Sequence, residues 1–229
     1  MVRKRKRWMR GVMAVALAAW VAPAALSAQD LADFDYEHLS FRGIGPEIGY
    51  IWPSRVEPTQ TVGVRMDLGY LGPGLRIVPS ITYWKSAFKQ SEIRKLEDRV
   101  SSLIVGQTGG PPPTVDLGEI DWSDVALSVD AHVVWRVPYD VLTFAGLGVS
   151  AHLLNGNGSS INGTFVEDLL DSVTAGFNLH AGAEYLLASN LRIYGEGRYE
   201  VLGDLQYPGI RIGLQLFTGQ AAPGEEAGR

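Results

Sequence analysis

Residues 173–187 read VTAGFNLHAGAEYLL, and every second one, Val173, Ala175, Phe177, Leu179, Ala181, Ala183, Tyr185 and Leu187, is apolar. Between them lie Thr174, Gly176, Asn178, His180, Gly182 and Glu184. Successive side chains of an extended strand point to opposite faces, so this period of two describes one strand with an apolar face and a polar face.

The same alternation recurs along the chain. It places Ile44, Pro46, Ile48, Tyr50 and Trp52 opposite Gly43, Gly45, Glu47 and Gly49, although Pro46 cannot donate to a ladder. Next come Val62, Val64, Met66, Leu68 and Tyr70 opposite Gly63, Arg65, Asp67 and Gly69, and then Leu75, Ile77, Pro79, Ile81 and Tyr83 opposite Arg76, Val78, Ser80, Thr82 and Trp84. Val125 to Trp135 opposes Ser128, Asp130, His132 and Val134, while Ala145 to Leu153 opposes Gly146, Gly148, Ser150 and His152. Beyond residue 190, Leu191, Ile193, Tyr199 and Val201 oppose Arg192, Tyr194, Glu196, Arg198 and Glu200, and Ile210 to Leu216 opposes Arg211, Gly213 and Gln215. With the opening stretch these make eight strands, each about as long as a tilted membrane-crossing strand needs to be.

A soluble barrel alternates too, with its apolar face inward. Three features select the membrane. The aromatic residues Tyr50, Trp52, Tyr70, Tyr83, Trp135, Tyr185 and Tyr199 sit on the apolar face near strand ends, as an interfacial girdle requires. The polar face mixes Gly and Ser with charges of both signs, which suits a narrow lumen where ions pair. Connections alternate in length: tight turns at residues 72–74, 137–140 and 188–190, longer segments at 85–122 and 155–172. The expected fold is an all-β, eight-stranded, antiparallel up-and-down transmembrane β-barrel, with both termini periplasmic and the long loops extracellular.

Composition agrees. Gly accounts for 27 of 229 residues, above the usual ~7%, as tight turns and small lumen positions require. Cys is absent, which removes disulfides and thiolate metal sites. Arg3, Lys4, Arg5, Lys6, Arg7 and Arg10 precede an apolar run and small residues near Ala28, the pattern of a cleaved signal peptide over residues 1–28. Its removal leaves 14 Lys plus Arg against 25 Asp plus Glu, a formal charge of −11, which argues against a nucleic-acid partner. The barrel is expected over residues 29–218 and a disordered polar tail over 219–229. Within the long loop, residues 91–104 (SEIRKLEDRVSSLI) carry helical spacing with Ser91 as a candidate cap, and the GGPPP stretch at 109–113 ends the helix.

The stretches FAGLGVSAHLL (144–154), GFNLHAGAEYLL (176–187), LRIYGEGRYEVL (191–202) and GIRIGLQLF (209–217) make the chain resemble the small bacterial outer-membrane barrels, the family of the outer membrane protein A transmembrane domain and its X- and W-type relatives. The resemblance covers residues 38–218. It implies a Gram-negative outer membrane, contact with its lipid and lipopolysaccharide, passage through the barrel-insertion machinery, a monomer and no cofactor. In those barrels lumen ions form a plugging network. Here the candidates for that role are Glu47, Arg65, Asp67, Arg76, Asp130 and Glu184, with Arg192, Glu196, Arg198, Glu200 and Arg211 from the last two strands.

Metal binding would need His132, His152 and His180 to converge at one height. Strand direction puts His152 and His132 toward opposite ends, so satisfied lumen histidines are expected and no metal. Ser150 and His152 share a face and with a carboxylate would imitate a nucleophile and its base, yet they lack the His-x-Ser-Asn order of outer-membrane deacylases. The sequence therefore reads as a non-enzymatic barrel anchor with contact loops; a narrow porin-like pore and a lipid A-modifying enzyme are the alternatives.

Overall fold

The computed structural model describes residues 39–218; the expected signal peptide and tail lie outside the described residues. Eight antiparallel strands follow one another around a closed barrel: β1 (Leu39–Ile51), β2 (Thr59–Gly72), β3 (Leu75–Ala87), β4 (Asp121–Val137), β5 (Val141–Asn157), β6 (Ser172–Ala188), β7 (Leu191–Leu202) and β8 (Leu205–Phe217). Each strand pairs with its sequence neighbours, and β1 meets β8 to close the wall.

The apolar face points outward. Ile48 is 62% exposed and Val149 63%, whereas Arg76 and His132 are 0% exposed on the inward face. A barrel built to live in water hides the first set and shows the second. With the sides reversed, the outer wall is a surface for hydrocarbon, and the soluble-barrel alternative falls. On β4 the outward apolar residues run from Val125 to Trp135. At about 3.3 Å per residue and a tilt near 40°, they span roughly 25 Å, the height of a membrane barrel's apolar band.

Pro46 sits where the closing ladder can spare it. The β1–β8 register runs from Gly43–Phe217 and Ile44–Leu216 to Glu47–Gly213, skipping Gly45 and Pro46. Proline has no N–H to offer there, and a Cβ on Gly45 would collide with the Leu214 carbonyl.

The two ends of the barrel differ. One, the turn end, carries residues 73–74, 138–140 and 189–190; Tyr139 and Asp140 adopt left-handed φ values of 70° and 56° to make the middle turn. The other, the loop end, carries residues 52–58, 88–120, 158–171 and the tight 203–204 turn. Helix α1 (Gln90–Thr108) forms as expected and stops at Gly109, whose φ of 65° suits glycine. Its N-cap is Lys89, without a side-chain cap bond, so Ser91 lies inside the first turn and does not cap. A second helix, α2 (Phe165–Leu170), replaces part of the expected loop, with Thr164 accepting from the Val166 N–H.

The apolar core of the protein lies at the loop end. Ile51, Val56, Trp84, Phe88, Ile93, Val100, Leu117, Ile120, Trp122, Leu154, Ile161, Val166, Leu202, Leu205 and Tyr207 form one buried cluster drawn from strands, loops and both helices. Trp84, out of place on a polar face by alternation, packs edge-on to Trp122 and Tyr207 at 6.5 and 6.4 Å. Backbone bonds tie the loops together: Phe88 N to Ile120 O at 2.8 Å, Lys89 N to Arg55 O at 3.0 Å and Ser54 N to Gln206 O at 3.0 Å.

Glycines inside the wall make room for lumen side chains. Asp130, Gly148 and Asn178 are level across β4, β5 and β6, and Asn178 reaches Asp130 at 3.1 Å over the bare glycine. A Cβ on Gly148 would overlap the Asp130 carboxylate. Replacing Gly148 with Leu is expected to cost about 2–3 kcal/mol, the scale of overpacking, read as a lowered urea midpoint of the refolded barrel. An unchanged midpoint would remove this account of the glycine.

Candidate functional site

The lumen is a polar network. Of the eleven charged positions picked out by alternation, ten are buried and Arg192, at the turn end, is partly so. The pairs of Arg65 and Arg76 with Glu184 and of Arg198 with Asp130 reach across the lumen between strands that are not neighbours, while Arg76–Asp67, Arg192–Glu184 and Arg211–Glu47 join adjacent strands.

Glu184 on β6 is the first hub. It accepts from Arg65 Nη2 at 2.9 Å and, on its other oxygen, from Arg76 Nη1 at 2.9 Å, while Arg76 Nη2 shares the oxygen that Arg65 holds and Arg192 lies at 3.6 Å. Arg76 also faces Asp67 at 3.6 Å. Arg65 is stacked over the Tyr194 ring at 4.1 Å and near Phe144 at 5.3 Å, contacts that favour a planar guanidinium over an ammonium.

Arg198 on β7 is the second hub, donating to Glu196 at 2.9 Å, to Glu200 at 3.5 Å and to Asp130. A third group joins Arg211 Nη1 to Glu47 at 3.0 Å, and Tyr194 donates to the same carboxylate at 2.8 Å. Unpaired ions would be expensive in this interior. The outward aromatic set divides between the two ends: Tyr50, Trp52, Tyr83 and Tyr199 toward the loop end, and Tyr70, Trp135 and Tyr185 toward the turn end. All are exposed except Tyr70, which is half-buried.

Nearer the loop end Ser150, His152 and a carboxylate do meet. The carboxylate is Asp124, which lies one residue before the alternating run that starts at Val125. His152 Nδ1 is 2.7 Å from Asp124 Oδ2 and Nε2 is 2.9 Å from Ser150 Oγ. A fourth member changes the chemistry: the Ser150 hydroxyl donates to Glu200 Oε1 at 2.5 Å. The serine has one proton and Glu200 holds it, so toward His152 its oxygen is an acceptor. The imidazole then gives a hydrogen bond to the serine rather than taking its proton, the reverse of nucleophile activation. The group also lies buried, with Ser150 6% and His152 0% exposed.

The histidines do not behave alike. His132 on β4 and His180 on β6 are level across Gly146, with ring centroids 4.6 Å apart. The three histidines do not converge: His152 belongs to the Asp124–Glu200 group, while His180, whose height the sequence alone does not place, lies beside His132. Single ligand atoms of Asp130, His132 and His180 lie within 4.8 Å of one another. Sequence parity put both rings in the lumen; only the register of β4, β5 and β6 puts them side by side.

No protein-family model matches the chain, and no curated protein matches it in sequence. Among solved structures it is similar to neisserial surface protein A, at 12% identity and a TM-score of 0.49 over 77% of this chain and 97% of that one. It is also similar to a major outer membrane protein of Thermus thermophilus, at 12% identity and a TM-score of 0.47 over 77% and 99%. A third is the attachment invasion locus protein of Yersinia pestis, solved with a heparin analogue, at 14% identity and a TM-score of 0.44 over 79% and 100%. At such identity and superposition none of them transfers a role to this chain.

Glu184→Gln removes the charge that Arg65 and Arg76 share. It is expected to destabilise the refolded barrel by about 3–5 kcal/mol, the scale of breaking a buried pair, in equilibrium urea unfolding. Lys85→Gln breaks an exposed pair with Asp121 and is expected to cost no more than about 1 kcal/mol. Equal effects of the two substitutions would show that the lumen network contributes no more than a surface ion pair.

Proposed function

We propose that this transmembrane barrel is a closed, non-enzymatic anchor in a bacterial outer membrane, and that its loop end, turned outward from the cell, is the contact surface. The observation that carries the proposal is the double closure of the lumen. Ion pairs of Glu184, Arg198 and Glu47 fill the barrel, and the apolar cluster of loops and helices lies across one mouth. An eight-strand barrel leaves just enough interior for side chains, and these side chains occupy it.

The pore alternative has less support, because a conducting path would have to break both closures. The enzyme alternative is disfavoured by the sense of the Ser150 hydrogen bond. An orientation with the tight turns and both chain ends in the periplasm follows the general pattern of short periplasmic turns. In it the outer wall meets lipid and lipopolysaccharide, the barrel-insertion machinery places the chain, and a monomer suffices because the wall has no open edge.

Since the chain has no cysteine, introduced cysteines report orientation cleanly. On intact cells a membrane-impermeant maleimide is expected to label Gln107→Cys, on the exposed last turn of α1, and to leave Tyr139→Cys, at the turn end, unlabelled. The opposite pattern would invert the proposed orientation. In planar bilayers the purified protein is expected to give no stepwise conductance; sustained ohmic steps would replace the anchor with the pore.

A further inference from the structure

We propose that Asp130, His132 and His180 form a binding site for one borderline divalent cation, zinc foremost, inside the barrel. The inference is independent of the barrel's orientation and of its role as an anchor. It rests on three observations about the same place.

The first is geometry. One donor atom from each residue falls within 4.8 Å of the other two; ligands of one tetrahedral ion, bonded at about 2.0–2.2 Å, lie roughly 3.3–3.6 Å apart, so the three close on an ion with side-chain shifts of about an ångström. The wall leaves space for it: His180 Nε2 lies over Gly146, where a Cβ would come within 2.5 Å of that nitrogen.

The second is unmet bonding. Nε2 of His132 and Nε2 of His180 are both buried and neither has a hydrogen-bond partner, with the residues 0% and 5% exposed. Two adjacent buried imidazole nitrogens without partners are costly, and among the unpartnered lumen atoms, which include Ser80 Oγ and both amide atoms of Gln215, these two belong to a group with metal-ligand spacing.

The third is the surrounding support. His180 Nδ1 donates to Asn178 Oδ1 at 2.7 Å, which fixes the proton on Nδ1 and presents the Nε2 lone pair. Asn178 in turn donates to Asp130 at 3.1 Å, and Arg198 donates to the other carboxylate oxygen. A ligand histidine held by a carbonyl and a ligand carboxylate held by donors are what such ions use to set orientation. Two imidazoles and one carboxylate select zinc, cobalt, nickel or copper over calcium and magnesium, which take oxygen ligands.

Charge decides whether a cation is tolerated. The arginines nearby are already matched, Arg76 to Glu184 and Asp67 and Arg198 to Asp130, Glu196 and Glu200. Among the described residues the alternating lumen positions carry seven inward carboxylates, Asp124 included, against five guanidiniums and His152, which donates to both Asp124 and Ser150, so the balance stays on the negative side for an incoming cation. One contact must yield. Arg76 Nη2 lies 3.3 Å from His132 Nδ1, and because a guanidinium only donates, that contact holds the His132 proton on Nε2. Cation uptake moves this proton to Nδ1 and gives up the contact, while Arg76 keeps both arms on Glu184.

The test uses the full chain refolded in detergent with zinc or cobalt alone, then dialysed, with heat-modifiable gel mobility confirming the folded barrel. The wild type is expected to retain one equivalent of metal by elemental analysis, and the cobalt form to show visible bands that zinc displaces. His132→Gln and His180→Gln are expected to lose the ion, Asn178→Ala to bind about 10–100-fold more weakly, and His152→Gln to bind like the wild type. Folded wild type without metal, or folded His132→Gln and His180→Gln that keep it, would overturn the proposal. Should those variants fail to fold, the cobalt spectrum of the wild type alone decides, because absent bands contradict the site.

Discussion

Backbone hydrogen bonding in hydrocarbon is the constraint on which the rest of this molecule depends. A strand crossing a bilayer has no water to satisfy its N–H and C=O groups, so the wall must pair every strand on both sides and close on itself. Once closed, the pleat sends alternate side chains to lipid and to the lumen, and an apolar outside forces nearly everything polar inward. The lumen must then satisfy itself. Glu184 among Arg65 and Arg76, and Arg198 among Asp130, Glu196 and Glu200, are consequences of that closure as much as contributors to it. Glycines complete the logic, since Gly146 and Gly148 let residues on β4 and β6 meet across β5.

The usual arrangement of a globular protein is thereby turned inside out along most of the barrel and restored at one end. Above the ion network the chain leaves the apolar belt and gathers Trp84, Trp122, Tyr207 and the buried residues of α1 and α2 into an ordinary hydrophobic core. This core fixes segments that would otherwise be long unsupported connections. Trp122 Nε1 bonds Leu170 O at 3.1 Å and Glu97 accepts from Leu117 N at 3.0 Å, so the loop end is a built surface. Leu103 and Phe165 remain more than half exposed on it.

Strand positions and facing were legible in the sequence because a period of two survives in any register. The inward set from Glu47 to Arg211 needed only parity and the choice of which side meets lipid. Features that depend on which residues lie opposite one another were not legible. His132 and His180 are 48 residues apart by number, and nothing local says that Gly146 sits between them. Asp124 was hidden by position, one residue before the apolar run begins, although its parity matches Asp130. Trp84 is out of place on the polar face because alternation carries no information on where the lumen ends and the cap begins. The helix α2 has a local signal, since Thr164 and Glu167 have the spacing of a capping box, but the glycine-rich run before them reads as loop.

Between Val125 and Val133 the odd-numbered residues of β4 face hydrocarbon and the even-numbered ones face a filled lumen. Single cysteines from Val125 to Val133, each spin-labelled in reconstituted bilayers, test it through collision with oxygen, which concentrates in lipid, and with a water-soluble nickel chelate. Strong oxygen contact at 125, 127, 129, 131 and 133, with low contact from both reagents at 126, 128, 130 and 132, is the predicted result. Nickel contact at the odd positions, or no alternation between neighbours, would contradict it.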